Sequence, residues 1–254
     1  MKKIITYWCL CLLATNALAW GPTGHRVTGL IAERHLNAKA KKKIKSLFGQ
    51  ESLALVSNWM DDVRSDSAYS YMTDWHWVTV ETGSTYDQSK KNPNGDLIMT
   101  LERVLKELKS HKLTPKQELE DLRILVHLVG DLHQPLHVGC CDDQGGNKVK
   151  VKWFRNDSNL HRVWDSDMID DSKFSYTELA DALGEPDQMT IAKMQKTTIL
   201  DWVQESIDYR KQVYDIGDGN LGYKYSYKYF SIAKTRMLQA GIRLAGLLNE
   251  IYGK

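Results

Sequence analysis

The stretch PKQELEDLRILVHLVGDLHQPLH, residues 115–137, decides how this chain is read. Pro115 can open a helix, because its missing N–H is one that a first turn leaves unbonded anyway. Leu119, Leu122, Leu125, Val126 and Val129 then recur at three- and four-residue steps, one apolar stripe of an α-helix. The same period runs outward in both directions. Val27, Leu30 and Ile31 begin a first amphipathic helix reaching Leu36, and Asn37 is placed to cap a second that stops at Gly49. Leu53, Val56, Trp59, Met60 and Val63 mark another helix, and Leu97, Leu101, Val104, Leu105 and Leu108 the next. Residues 190–214 and 225–252 read as two long closing helices. Strand signals are few: residues 75–80 as a short strand, and residues 149–154 as half of a hairpin after the turn-rich residues 142–147. With no repeat, low-complexity tract or linker, the expectation is a mainly α, single-domain, multi-helix fold with a small β-hairpin.

Composition agrees and sets limits. The chain has 254 residues, 42% hydrophobic and 26% charged, which suits a globular core and excludes a disordered or fibrous chain. Lys and Arg total 34 against 32 Asp and Glu, so no charge excess announces a polyanionic or membrane partner. The one long apolar run, Ile4 to Leu13, follows Lys2 and Lys3 and precedes Ala17-Leu18-Ala19. That is the basic, apolar and small-residue order of a signal peptide, too short for a membrane span. The expected division is residues 1–19 as signal and 20–254 as one domain, secreted or periplasmic. Cys140 and Cys141 are then the only cysteines of the mature chain. Neighbouring Cα atoms about 3.8 Å apart make a vicinal bridge strained, so a disulfide-stapled fold is excluded while a bridge or two free thiols both stay open.

The eight histidines are not scattered. His127 and Asp131 are spaced i,i+4, on one helix face, and His161 and Asp165 repeat the spacing. One such pair is ordinarily a surface hydrogen bond. Two pairs beside His137, in otherwise apolar helices, point instead to a metal. Imidazole with carboxylate and no thiolate suits Zn²⁺ in open, catalytic sites. The predicted mature terminus, Trp20 through His25, adds an α-amine that can chelate together with its own carbonyl oxygen.

Six motifs then follow in order: W-G-x-x-G-H at 20–25, W-x-D-x-x-R at 59–64, W-H-aromatic at 75–77, H-x-x-G-D-x-H-Q-P-L-H at 127–137, G-G-N at 145–147 and L-H-x-x-W-D at 160–165. Together they resemble the S-one/P-one type nucleases, exported, mainly helical enzymes of the phospholipase C/nuclease fold type that carry three zinc ions. The resemblance implies that Asp61, His76, His127 and Asp131 hold a first zinc. Trp20, through amine and carbonyl, with His25 and a bridging Asp131 would hold the second. His137, His161 and Asp165 would hold the third. It also makes Asp61 the residue that orients a metal-bridging hydroxide and Arg64 a phosphate clamp. Trp77 becomes a stacking surface for a base, and Asn147 a neighbour of the cluster. The implied substrates are single-stranded DNA and RNA, cut to 5′-phosphate products, and 3′-nucleotides.

Each of these has a plainer alternative. Arg64 could be a solvated helix charge, Trp77 core packing, and Asn147 a turn residue. His133 reads as an outer hydrogen-bonding partner rather than a ligand, and His35 and His111 as ordinary residues. The acid that contacts the base edge in fungal members is Thr79 here, which removes one basis for base preference. The rival enzyme reading is zinc-dependent phospholipase C, and a non-enzymatic zinc protein is the rival class.

Overall fold

The computed structural model describes residues 20–253; the expected signal segment lies outside them. Among these residues twelve α-helices and five very short strands follow one another, and the first are α1 (Pro22–Arg34) and α2 (Ala38–Phe48), the second capped by Asn37 through the Ala40 N–H. Between 53 and 63 the apolar period predicts one helix, but the chain makes α3 (Leu53–Val56) and α4 (Trp59–Asp62). The break has a local and a distant cause. The Ser57 hydroxyl bonds back to the Ala54 carbonyl, and the Ser57 carbonyl accepts from His127 Nδ1 at 2.7 Å instead of continuing a helix.

Of the strand predicted at 75–80, Trp75 and His76 belong instead to the end of a 3₁₀ segment, Ser67–His76. The chain is extended from Trp77, and β1 (Val78–Thr79) pairs in parallel with β2 (Val138–Gly139). A pair this short is marginal alone. Arg210, buried, holds it by donating to the carbonyls of Val80, Val138 and Gly139.

Between these strands lie α5 (Leu97–Ser110) and α6 (Pro115–His133), the latter started by a capping box of Thr114 and Gln117 with Pro115 at its first turn. The predicted hairpin forms from β3 (Lys150–Trp153) and β4 (Asn156–Asn159), so its partner strand follows rather than precedes it. Then come α7 (Leu160–Arg162), a π turn at Val163–Asp167, α8 (Met168–Asp170) and α9 (Tyr176–Ala182). The predicted helix at 190–214 divides into α10 (Gln188–Gln195) and α11 (Ile199–Val213), because Thr198 and Asp201 build a new capping box. β5 (Asn220–Leu221) joins β3 in parallel, and α12 (Tyr223–Tyr252) closes the chain.

Burial produces two apolar clusters with α12 running through both. Ala240, Leu244 and Leu248 pack with α5 and α6, while Tyr225, Tyr229 and Met237 pack with Trp20, Trp164 and the β3 sheet. α1 lies against α12, α3 and α9, so the first and last described helices are partners. The C-terminal end of α6 comes to the seam between the clusters, and its polar side chains are buried there. Among the described residues no helix is long and apolar enough to cross a membrane.

Candidate active site

At that seam α6 presents His127 and Asp131 one turn apart, both wholly buried. Asp131 is met from three directions. His25 of α1 brings Nε2 to 3.2 Å from Oδ1, while His76 Nδ1 and His127 Nε2 lie 3.0 and 3.3 Å from Oδ2. His76 Nδ1 is also 3.1 Å from His127 Nε2. By distance the donors form three groups: His25, His127 and Asp131; Asp61, His76 and His127; and His137, His161 and Asp165. His127 thus reaches the first two groups, in addition to the bridging position expected of Asp131.

The outer nitrogens set the tautomers. His127 Nδ1 faces the Ser57 carbonyl, His137 Nδ1 the His76 carbonyl at 2.6 Å and His161 Nδ1 the Gly145 carbonyl at 2.7 Å. A donated Nδ1–H leaves the Nε2 lone pair turned inward, the arrangement found around metal-bound imidazole. Gly145 can offer that carbonyl because its φ is +59°, and a Cβ there would fall 2.3 Å from the Leu136 oxygen. Gly130 is needed for space: a Cβ would sit 2.8 Å from His25 Nδ1.

The residues fit a metal ion on two counts. Ligands about 2.0–2.1 Å from a tetrahedral ion lie about 3.3 Å apart, close to the spacings just given. His25 Nδ1, His76 Nε2 and His137 Nε2 are buried with no hydrogen-bond partner, an uncommon state for interior polar atoms. The charge balance points the same way. Burial opposes ionisation of Asp131, yet the His127 and His137 rings hold its carboxyl well below the usual range. Burial likewise opposes charge on His137, but Asp131 and Asp165 outweigh it and push that ring up to about 9. His25 moves the other way, lowered by burial and by His127. Three carboxylates in a largely buried pocket demand positive charge.

His76, His137 and His161 line a cavity of about 550 Å³, with the other members of the three groups buried behind them. Arg64, beside Asp61 at 3.3 Å, lines it with Trp77, Thr79, Asn147 and Lys148. Trp77 is half-buried and also borders a neighbouring cavity of about 250 Å³. Asn147 closes its own turn by donating to the Gln144 carbonyl while lining the large cavity, so both readings of it hold together. Trp20 is buried against Gly24 near His25, and the next residue's N–H donates to the Asp165 carbonyl at 2.7 Å. His133 points away, donating Nδ1–H to Val129 and accepting from Arg243 at Nε2. His35 meets Glu185 and the Ile31 carbonyl, far from any group. Cys140 and Cys141 are free thiols, and Cys141, with φ +62°, lines the cavity.

Two positioning residues escape sequence reasoning. Gln134 donates to Asp165 Oδ1 at 2.6 Å and accepts from the Leu136 N–H, joining two motifs. Arg210 shapes the wall that carries Trp77 and Thr79. Its signal is an arginine in the buried stripe of Val203, Ser206 and Val213.

A mainly helical fold with buried groups of His and Asp that could hold metals, opening on a cavity with an arginine at its side, defines a class of hydrolase for phosphate esters. The chain belongs to the S1/P1 nuclease family, whose model matches residues 20–253, and is therefore a hydrolase acting on phosphodiester bonds. It is 27% identical to Endonuclease 2 of Arabidopsis thaliana over 291 aligned residues, covering 100% of this chain and 97% of that protein. Endonuclease 3 of the same plant is 28% identical, with 98% and 94% covered. Nuclease P1 of Penicillium citrinum is 29% identical over a shorter stretch, 59% of this chain and 58% of that protein.

Proposed function

We propose that this protein is an exported, zinc-dependent endonuclease. It cleaves single-stranded DNA and RNA to 5′-phosphate products and also removes the phosphate of 3′-nucleotides. The observation that carries the reading is the set of three adjoining donor groups, exposed to one cavity through His76, His137 and His161, with Arg64 and Trp77 at its sides. The similarity to plant endonucleases over nearly the whole chain supports it.

Asp61, His76, His127 and Asp131 would hold one zinc, and Trp20, His25 and Asp131 the second. His137, His161 and Asp165 would hold the third. Zinc bound there supplies a hydroxide nucleophile at neutral pH and positive charge for the leaving 3′ oxygen. The chain's own groups do the rest. Asp61 orients the attacking water, and Arg64 donates to non-bridging phosphate oxygens in a geometry a guanidinium matches well. Trp77 stacks a base, and stacking accepts any base because each has a π-face. Asn147 holds the far rim, and the backbone carbonyls facing Nδ1 of His127, His137 and His161 fix those rings with Nε2 turned inward, as the atom that would bind metal.

The test uses protein beginning at Trp20. We expect zinc in all three groups, faster cutting of single-stranded than duplex DNA, loss of activity on chelation and recovery with zinc. Undiminished cutting by demetallated protein would overturn the reading. One Met added before Trp20 should cost about one zinc and most activity, since the Trp20 nitrogen becomes an amide and a poor ligand. Full zinc and activity with that residue retained would refute the terminal-amine role.

A further inference from the structure

A row of cations leaves the cavity along the hairpin. Lys148 lines the cavity and donates to the Asp142 carbonyl at 2.7 Å. Lys150, the next outward residue, reaches the carbonyl of Asn147 at 3.4 Å, on the rim. Lys152 follows on the same face of β3, where Lys150 and Lys152 are exposed and Val151 and Trp153 buried. Alternate residues of a strand lie about 6.7 Å apart, close to the separation of successive phosphates in an extended single strand. Arg155 is exposed at the hairpin tip.

The row ends at aromatic rings that the core does not use. Tyr223 and Tyr227, one turn apart on α12, are 82% and 95% exposed. Their helix neighbours Tyr225 and Tyr229 are buried, so the helix sorts its tyrosines rather than merely tolerating them outside. Phe154, held at φ +55°, packs edge-on against Tyr223 with ring centres 4.7 Å apart and steadies it. β5 links the two parts directly, since Asn220 pairs with Lys152 three residues before Tyr223. Two acids lie nearby. Asp157 is 3.9 Å from Lys152 with both side chains largely in water, a weak pairing, and Asp218 is occupied by the N–H and side chain of Asn220.

We propose that the outer face of β3 and the first turns of α12 form a track for the single-stranded polynucleotide outside the cleavage site, with phosphates on Lys150 and Lys152 and bases on Tyr223 and Tyr227. Cations along a backbone with interleaved aromatic faces are the elements of sequence-tolerant single-strand binding. The proposal rests on the nuclease reading and extends it: long strands should bind better than the few nucleotides the cavity holds.

The test compares two substrates. Binding of a fluorescent phosphorothioate oligothymidylate of about twenty nucleotides, resistant to cleavage, reports the track. Hydrolysis of a dinucleotide reports the cavity alone. Lys150→Ala/Lys152→Ala should raise Kd for the long strand about tenfold at moderate salt. It should also flatten the slope of log Kd against log salt by about 1.4, the loss of two phosphate contacts. Tyr223→Ala/Tyr227→Ala should raise Kd at least about fivefold and leave the slope alone. Both should cleave the dinucleotide at the parent rate. Unchanged Kd in both variants, or equal losses on both substrates, would overturn the track. If the parent cuts neither a dinucleotide nor a long strand, the nuclease reading falls, and this one with it.

Discussion

On one side of the last turns of α6, Asp131 faces the imidazoles of His25, His76 and His127, and several of the buried polar atoms there lack a hydrogen-bond partner. On the other side, two residues and more than half a turn away, His133 meets Arg236 and Arg243 of α12, which converge on Glu205 of α11. The second cluster is nearly self-sufficient. Arg236 donates to the His133 and Trp202 carbonyls, Ser206, Gln239 and Glu205, and Arg243 forks onto both oxygens of Glu205 at 2.6 Å. Of all these donors only Arg243 Nε is left over. Burial, then Arg236 and Arg243, hold His133 well below its ordinary range, so it stays a neutral acceptor. One helix end thus carries a cluster closed by its own counter-charge and another whose carboxylates await a cation. An interior ionic group shows its purpose by what remains unpaired.

The contrast can be broken most forcefully at Asp131. Asp131→Ala should abolish nuclease activity by about a thousandfold or more and release more than one metal equivalent, since the carboxylate touches two donor groups. Metal analysis of the purified variant decides it, and loss of less than one equivalent would argue against bridging. Glu205→Ala should do the reverse. Leaving two arginines buried without their anion should cost about 3 kcal/mol in denaturant unfolding, with metal content unchanged.

The same carboxylate gives a pH signature. Burial would raise the Glu205 carboxyl, but Arg243 and Arg236 outweigh it and hold it below its ordinary value. A depressed carboxyl contributes stability that is full above the unfolded value of about 4.3 and is lost as pH falls through the folded value. The stability gap between metal-free parent and Glu205→Gln should therefore shrink below about pH 4. A gap that stays constant there would remove Glu205 from the closed cluster. The finest probe is Gly130→Ala, on the helix both clusters share. Its methyl would press on His25 and weaken metal binding about 10- to 100-fold, while α6, with a better helix former, stays as stable or gains.

Long elements were readable from the sequence because a stripe of apolar residues carries its own period. Leu97–Ser110 and Pro115–His133 need nothing distant to be helices. The His127–Asp131 and His161–Asp165 pairs were readable for the same reason, being neighbours on one helix face. Their meeting with His25 and His76 is a tertiary fact that spacing does not contain, and only the ordered family motifs anticipated it. The break at Ser57 is of that kind too, since its carbonyl turns toward a histidine 70 residues later. Nor does periodicity mark Arg236 and Arg243, which occupy buried positions an apolar stripe would assign to leucine.

The packing of α1 against α12 has a consequence for how the molecule comes into being. His25 sits on the first described helix, and the most extensive packing of that helix is with α12, at the end of the chain. Contacts so distant along the chain form late, after a large loop has closed. A polypeptide still emerging from the ribosome has no α12 for α1 to dock on, so the helix that brings His25 to Asp131 lacks that support until the last residues are made. Topology thus makes the seating of His25 one of the last steps of folding.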